Sequence, residues 1–287
     1  MTGELPKFKP LVEKLFLILF FALAGTLIIV VFSPWNPLLK PKADYLGRLL
    51  AIAFFAMLYM LTRKTPALAK YHQVVLGLLV LATAVTLDWV FGIHLIKQLG
   101  LQANSPANIA LVKLNEFVVV AAVIVAFTLA SGKQLSEIYL HKGRLKPGLI
   151  IGGICFLVFV AGGIPLSTLW FQGRDLSLAR VVPWIPWVLI FVFANSALEE
   201  LMFRGLFLRK LEPFLGKLSV NLTIALVFTL IHYGVTYTAD QFTFLLILLP
   251  LALLLGYLAQ KTDALRASIL LHAGMDIPVI LGILSNL

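Results

Sequence analysis

Long apolar runs, each broken by a short polar segment, fill the chain from end to end. Runs able to cross roughly 30 Å of hydrocarbon lie at 11–32, 44–61, 74–96, 109–131, 148–170, 183–208, 218–235, 241–260 and 264–286. The pattern predicts nine membrane helices. The third run contains Asp88 and His94, so eight spans with one re-entrant or interfacial piece is the alternative. Gly162, Gly163, Pro165, Pro250 and Pro278 fall inside runs, where membrane helices tolerate them as kinks or close-packing points. The segment 131–148, SGKQLSEIYLHKGRLKPG, is polar and basic. Its Leu135, Ile138 and Tyr139, at helical spacing, predict an interfacial helix leading into the next span. No long linker, low-complexity tract or internal repeat divides the chain.

Composition sharpens this picture. Of 287 residues, 61% are hydrophobic and only 13% charged, and the mean hydropathy is +1.00. A soluble domain cannot hide that much apolar surface, so the fold class is all-α, a polytopic membrane helical bundle of eight or nine transmembrane helices. No A-x-A-like cleavage site follows the first run, which reads as an anchor that stays. The net charge of +10 is scattered through short loops with no basic stripe, so no nucleic-acid partner is expected. Those charges instead report orientation. Fifteen Lys and Arg residues fall on one side of the nine-span scheme and seven on the other, Arg48 and Lys113 among the seven. The bias predicts a cytoplasmic N-terminus and, with nine spans, an outside C-terminus. Cys155 is the only cysteine, which excludes an intrachain disulfide and a cysteine-based metal cluster. Trp35, Trp170, Trp184 and Trp187 sit near run ends and read as an aromatic belt. Asp88 and Glu116 also lie near run ends, where solvated or headgroup positions are expected; His94 reads as a packing or interface residue.

The chemistry concentrates at 195–210, NSALEELMFRGLFLRK. Two carboxylates, Glu199 and Glu200, stand in an apolar run, and ionisable groups at membrane depth usually line a cavity or a reaction path. Arg204 follows Glu200 by four residues, so the two share a helix face and can pair. Glu199 is turned about 100° away and has no local partner; Asn195, one turn earlier, can hydrogen-bond into the same region. Downstream, Phe228 and His232 share a face, as do His272 and Asp276. With a turn near residues 215–216, Glu199 and His232 stand at similar depth, and His272 and Asp276 fall within a turn or two of it. A carboxylate with an imidazole can activate water for hydrolysis. Donors opposite can hold an oxyanion. Glu199, His232 and His272 are equally a ligand set for zinc with one open position. Proton-coupled transport also uses buried Glu, His and Arg, although no matching halves with broken helices are visible. The chain has no H-E-x-x-H, G-x-S-x-G or G-x-G-D motif.

Glu199-Glu200-x-x-x-Arg204, Phe228-x-x-x-His232 and His272-x-x-x-Asp276, in that order and with the local texture EELMFRG, resemble the three motifs of the CPBP family. These are intramembrane endopeptidases related to the CAAX-prenyl protease Rce1, also called the ABI domain. The resemblance covers 116–287, which would form the peptidase core, with 1–115 as accessory N-terminal transmembrane helices. It implies an intramembrane glutamic-type endopeptidase acting on a membrane-associated, in some cases lipidated, protein or peptide. Glu199 and His232 would activate water, Glu200 and Arg204 would order the site, and His272 and Asp276 would form the oxyanion side. No cofactor is implied; a zinc-dependent version using Glu199, His232 and His272 is the mechanistic alternative. A non-catalytic transporter, immunity or scaffold protein that kept the fold is the alternative function. Rce1-type members often carry Asn where this chain has Asp276, and can carry Asn where it has Thr236. The expected location is the plasma membrane of a prokaryote, as a multi-pass protein.

Overall fold

The computed structural model describes residues 8–32 and 38–287, and side chains at all of these except 8–10 and 93–97. Trp35 and the side chain of His94 therefore lie outside the described residues. Every described element is helical. In order they are α1 (Phe8–Thr26), continued by a π turn at Leu27–Val31, α2 (Pro41–Lys64), α3 (His72–Lys97), α4 (Pro106–Ala130), α5 (Leu145–Trp170) and the one-turn α6 (Leu178–Val181). Then come α7 (Ile185–Glu200), α8 (Leu206–Leu215), α9 (Lys217–Ile231), α10 (Gln241–Thr262) and α11 (Arg266–Ser285). A Ser105 hydroxyl caps α4 and an Asp240 carboxylate caps α10, each accepting from an otherwise unpaired N–H of the first turn.

Eight helical stretches among the described residues are long and apolar enough to span. The third predicted run is one of them, Pro66–Gly92, and is mostly buried within the bundle. Asp88 did not disqualify it because its side chain is buried in protein at the cavity wall rather than facing lipid. The seventh predicted run, 218–235, shrinks to the 15 residues of α9, only about 22 Å of helix. Gln260 Nε2 donates to Lys217 O at 3.2 Å and Gln241 Nε2 to His232 O at 3.3 Å, so α9 starts beside the end of α10 and is tied at its own end to the first residue of that longer helix.

The interfacial helix expected over 131–148 is not formed. One 3₁₀ turn, Leu135–Ile138, is followed by Tyr139 in the left-handed conformation (φ 58°). Ile138 and Tyr139 are buried and Tyr139 stacks under the Arg209 guanidinium, 4.3 Å from the ring centre. The segment's apolar residues thus seal the bundle end instead of lying on a membrane surface.

One buried cluster joins the N-terminal helices to the rest, drawing on Phe21, Leu78, Ile124, Phe207, Phe228 and Ala252. Helices α5 and α11 approach along glycines: a Cβ on Gly152 would sit 2.9 Å from Leu270, and one on Gly274 would sit 3.0 Å from the Phe156 backbone. Small residues at such seams let helix backbones approach closely. Arg48 is not a loop residue. It is 1% exposed, pairs with Asp44 at 2.8 Å, donates to the carbonyls of Val85 and Phe32, and lies against the rings of Phe32 and Trp89. Lys113 is likewise buried in α4. Removing both from the loop count leaves five basic residues on that side against fifteen, which strengthens the orientation bias.

Candidate active site

Helix α7 ends at the paired carboxylates and passes into a π turn, Leu201–Gly205, before α8 begins. The N–H of Leu206 reaches back five residues to Leu201 O. Such single-turn π segments inside helices are frequent at functional sites. Here the wider turn contains Arg204 itself. Glu200 and Arg204 are both fully buried and bond through Arg204 Nη1 to Glu200 Oε1 at 2.7 Å. The second guanidinium arm donates to Ala252 O of α10 at 3.1 Å, and the Phe228 ring lies 4.5 Å from its carbon. Each group also keeps one buried atom without a hydrogen-bond partner, Glu200 Oε2 and Arg204 Nε, so the pair is held chiefly by its mutual charge.

Helix α11 adds His272, 4% exposed. Its Nδ1 lies 2.9 Å from the same Glu200 oxygen. An ionised carboxylate accepts and cannot donate, so this contact requires the proton on Nδ1. The other ring nitrogen, Nε2, faces Glu199 Oε2 at 3.5 Å and Asp276 Oδ1 at 3.7 Å. Both separations exceed direct hydrogen-bond length. Asp276 Oδ2 accepts from Asn195 Nδ2 at 3.0 Å, which ties α7 to α11 on the far side of the ring. Oε2 of Glu199 is buried without a hydrogen-bond partner.

His232 closes α9. Its Nδ1 lies 2.7 Å from Phe228 O, a contact only an Nδ1–H can make, which leaves Nε2 as an acceptor. The ring packs on Phe228 at 4.7 Å between centroids. His232 lines the same cavity as Glu199, and Glu199 also makes an ion-pair contact with His272. The structure therefore brings Glu199, Glu200, Arg204, His272, Asp276 and Asn195 into one network, with His232 on the wall of the same cavity.

That cavity encloses about 1150 Å³, at the upper end of small-molecule pockets and large enough for a peptide segment. Its wall is mainly apolar, from α5, α7, α10 and the loop after α9, and includes Thr236 and Tyr237. Burial near Glu199 and Asp276 pushes the Tyr237 phenol above its ordinary pKa, so it stays a neutral donor. Two residues expected at solvated span ends line it instead: Asp88 and Glu116 are each 7% exposed. Their position in a run gives depth but not the direction they face, which is why the sequence misplaced them. Among the described residues, no group of three or more His, Cys, Asp or Glu side chains is placed to hold a metal ion. Both histidines engage Nδ1 with a protein oxygen and leave Nε2 towards the cavity, the way a zinc-ligating histidine is also held.

An all-helical membrane protein with a carboxylate–imidazole network at the edge of a large internal cavity is what the fold and site define. Residues 181–278 match the family model described as type II CAAX prenyl endopeptidase Rce1-like, so an Rce1-like domain lies in the C-terminal half. The match runs from just before α7 through Asp276 and includes every residue of the network above. No curated protein and no solved structure matches the chain.

Proposed function

We propose that the protein is an intramembrane endopeptidase that hydrolyses a peptide bond of a membrane-associated protein or peptide delivered to this cavity. The observation that carries the reading is the division of labour between adjacent carboxylates. Glu200 Oε1 is held by both Arg204 and His272, and Glu200 does not line the cavity, whereas Glu199 lines it and its Oε2 has no hydrogen-bond partner. A carboxylate held like Glu200 is structural. One held like Glu199 has the capacity to accept a proton from water.

In this reading Glu199 takes a proton from a water that His232 Nε2 helps to hold. The water oxygen attacks the scissile carbonyl carbon. As the tetrahedral oxyanion forms, His272, carrying protons on both nitrogens amid Glu199, Glu200 and Asp276, donates from Nε2. The Asn195 amide fixes Asp276, which orients that ring. The C–N bond then breaks and Glu199 returns its proton to the departing amine. A metal-dependent variant would use Glu199, His232 and His272 as ligands instead. We place the protein in the plasma membrane of a prokaryote, with 1–115 accessory to a 116–287 core.

Cleavage of a membrane-peptide library by the purified protein tests this. Glu199→Ala and His232→Ala should each lower turnover by about a hundredfold or more, with wild-type activity unchanged by chelator. Loss of activity on chelation with rescue by zinc would move the chemistry to the metal-dependent variant. Wild-type turnover in Glu199→Ala would sink the peptidase reading.

A further inference from the structure

The cavity has a second polar patch that the proposed chemistry does not use. Asp88 of α3 and Lys113 and Glu116 of α4 all line it, and each is less than a tenth exposed. Lys113 and Glu116 pair at 2.6 Å, so their charges offset one another within α4. Asp88 differs: its Oδ1 is buried with no hydrogen-bond partner, and among the described residues no ion pair includes it. Next to it the Asn115 Nδ2 is also buried and unpartnered. Gly92 leaves the space between them open; a Cβ there would stand 3.1 Å from Asp88 Oδ1 and 3.4 Å from Asn115 Nδ2.

The cations near Asp88, Lys113 and Arg48, are each ion-paired to another carboxylate, Glu116 and Asp44. A buried carboxylate with no ion pair of its own is costly, and a group that supplies both charge and N–H donors relieves that cost most fully. The rest of the lining does not provide one. Beyond the Lys113–Glu116 pair it adds three more carboxylates, Glu199, Asp240 and Asp276, against one cationic ring, His272, so the field in the cavity disfavours an anionic ligand and favours a cationic one. We propose that Asp88 forms a subsite for the ammonium or guanidinium group of a basic residue on an otherwise apolar substrate. The proposal rests on the reading that this cavity receives the substrate. The apolar wall would hold the neighbouring side chains of such a peptide, and Asp88 would fix its register relative to Glu199.

The test is binding of fluorescent, end-blocked apolar peptides to the purified full chain in nanodiscs, with one position scanned as Lys, norleucine or Glu. At one or more positions Lys should bind roughly tenfold tighter than norleucine, and Glu more weakly than both. Asp88→Asn should bring the Lys-to-norleucine ratio to about one while norleucine binding is kept, and Asp88→Glu should retain the preference. If Asp88→Asn fails to fold, Gly92→Ala, which fills the space beside the carboxylate, should show the same collapse. A Lys-to-norleucine ratio that is the same with and without the Asp88 carboxylate overturns the subsite. Cleavage of the same peptides separates the two readings. Glu199-dependent cleavage with no Asp88-dependent preference overturns the subsite alone, and Asp88-dependent binding with no cleavage overturns the peptidase reading alone. Absence of binding by every peptide overturns both.

Discussion

At the scale of single residues, Glu200 Oε1 receives Arg204 at 2.7 Å and His272 at 2.9 Å, with all three side chains out of reach of solvent. Replacing Glu200 by Ala strands the guanidinium, and a buried charge stripped of its partner destabilises by about 3–5 kcal/mol. The expected result is a sharply lowered unfolding midpoint for Glu200→Ala in detergent. Glu199→Ala should instead keep its midpoint within about 1 kcal/mol of wild type, since removing it breaks no hydrogen bond of the network. Asn195→Ala should reduce kcat with little change in KM, because it releases Asp276 without touching the apolar wall that holds substrate; single-turnover kinetics would show it. The four-residue spacings of Glu200 with Arg204 and His272 with Asp276 were legible, because helical geometry alone brings such pairs together. That His272 would bond Glu200 and lean towards Glu199 was not. Contacts between helices depend on rotations that an apolar run, hydrophobic on every side, does not encode.

Helices show the same division between what periodicity reveals and what it hides. The π turn at Leu201–Gly205 sits in a run with no polar stripe to register an extra residue, so nothing in the spacing announces it. Its close packing makes a prediction. A Cβ on Gly205 would meet Ile138 O at 3.1 Å and Leu201 Cδ1 at 3.0 Å, so Gly205→Val should destabilise by about 1–3 kcal/mol through overpacking, read as a lowered midpoint. Gly256 of α10 is tighter still: the Asn221 side chain occupies the place a Cβ would take while its Nδ2 donates to Leu253 O at 2.9 Å. Gly256→Ala should push α9 from α10 and lower activity and stability together. The cavity-facing Asp88 and Glu116 and the collapsed interfacial segment were misjudged for one reason. Polarity along the chain reports which residues need partners, not whether water, lipid or protein supplies them.

Considered whole, the bundle packs an apolar core around a cavity with a polar network at its edge, and its charge asymmetry predicts a cytoplasmic N-terminus. With Cys155 replaced by Ala, a cysteine at Lys64 should resist membrane-impermeant maleimide in intact cells, while one at Gln102 should label. The reverse pattern would invert the assigned orientation. The nine-run count foresaw the number of chain reversals near the site but not their lengths. That difference comes from tertiary packing, since α9 buries most of one side against protein and so needs less apolar length of its own.

The shortness of α9 reaches beyond the protein. Leu218, Leu222, Leu226 and Leu230 form an exposed stripe on it, yet its 15 residues fall about 8 Å short of a typical hydrocarbon core. Hydrophobic mismatch of this kind is relieved by thinning of the adjoining bilayer. The lipid beside His232 would then be compressed, drawing headgroups and water towards the end of α9. Turnover should accordingly be higher in short-chain than in long-chain phosphatidylcholine, which makes membrane thickness a control on the chemistry.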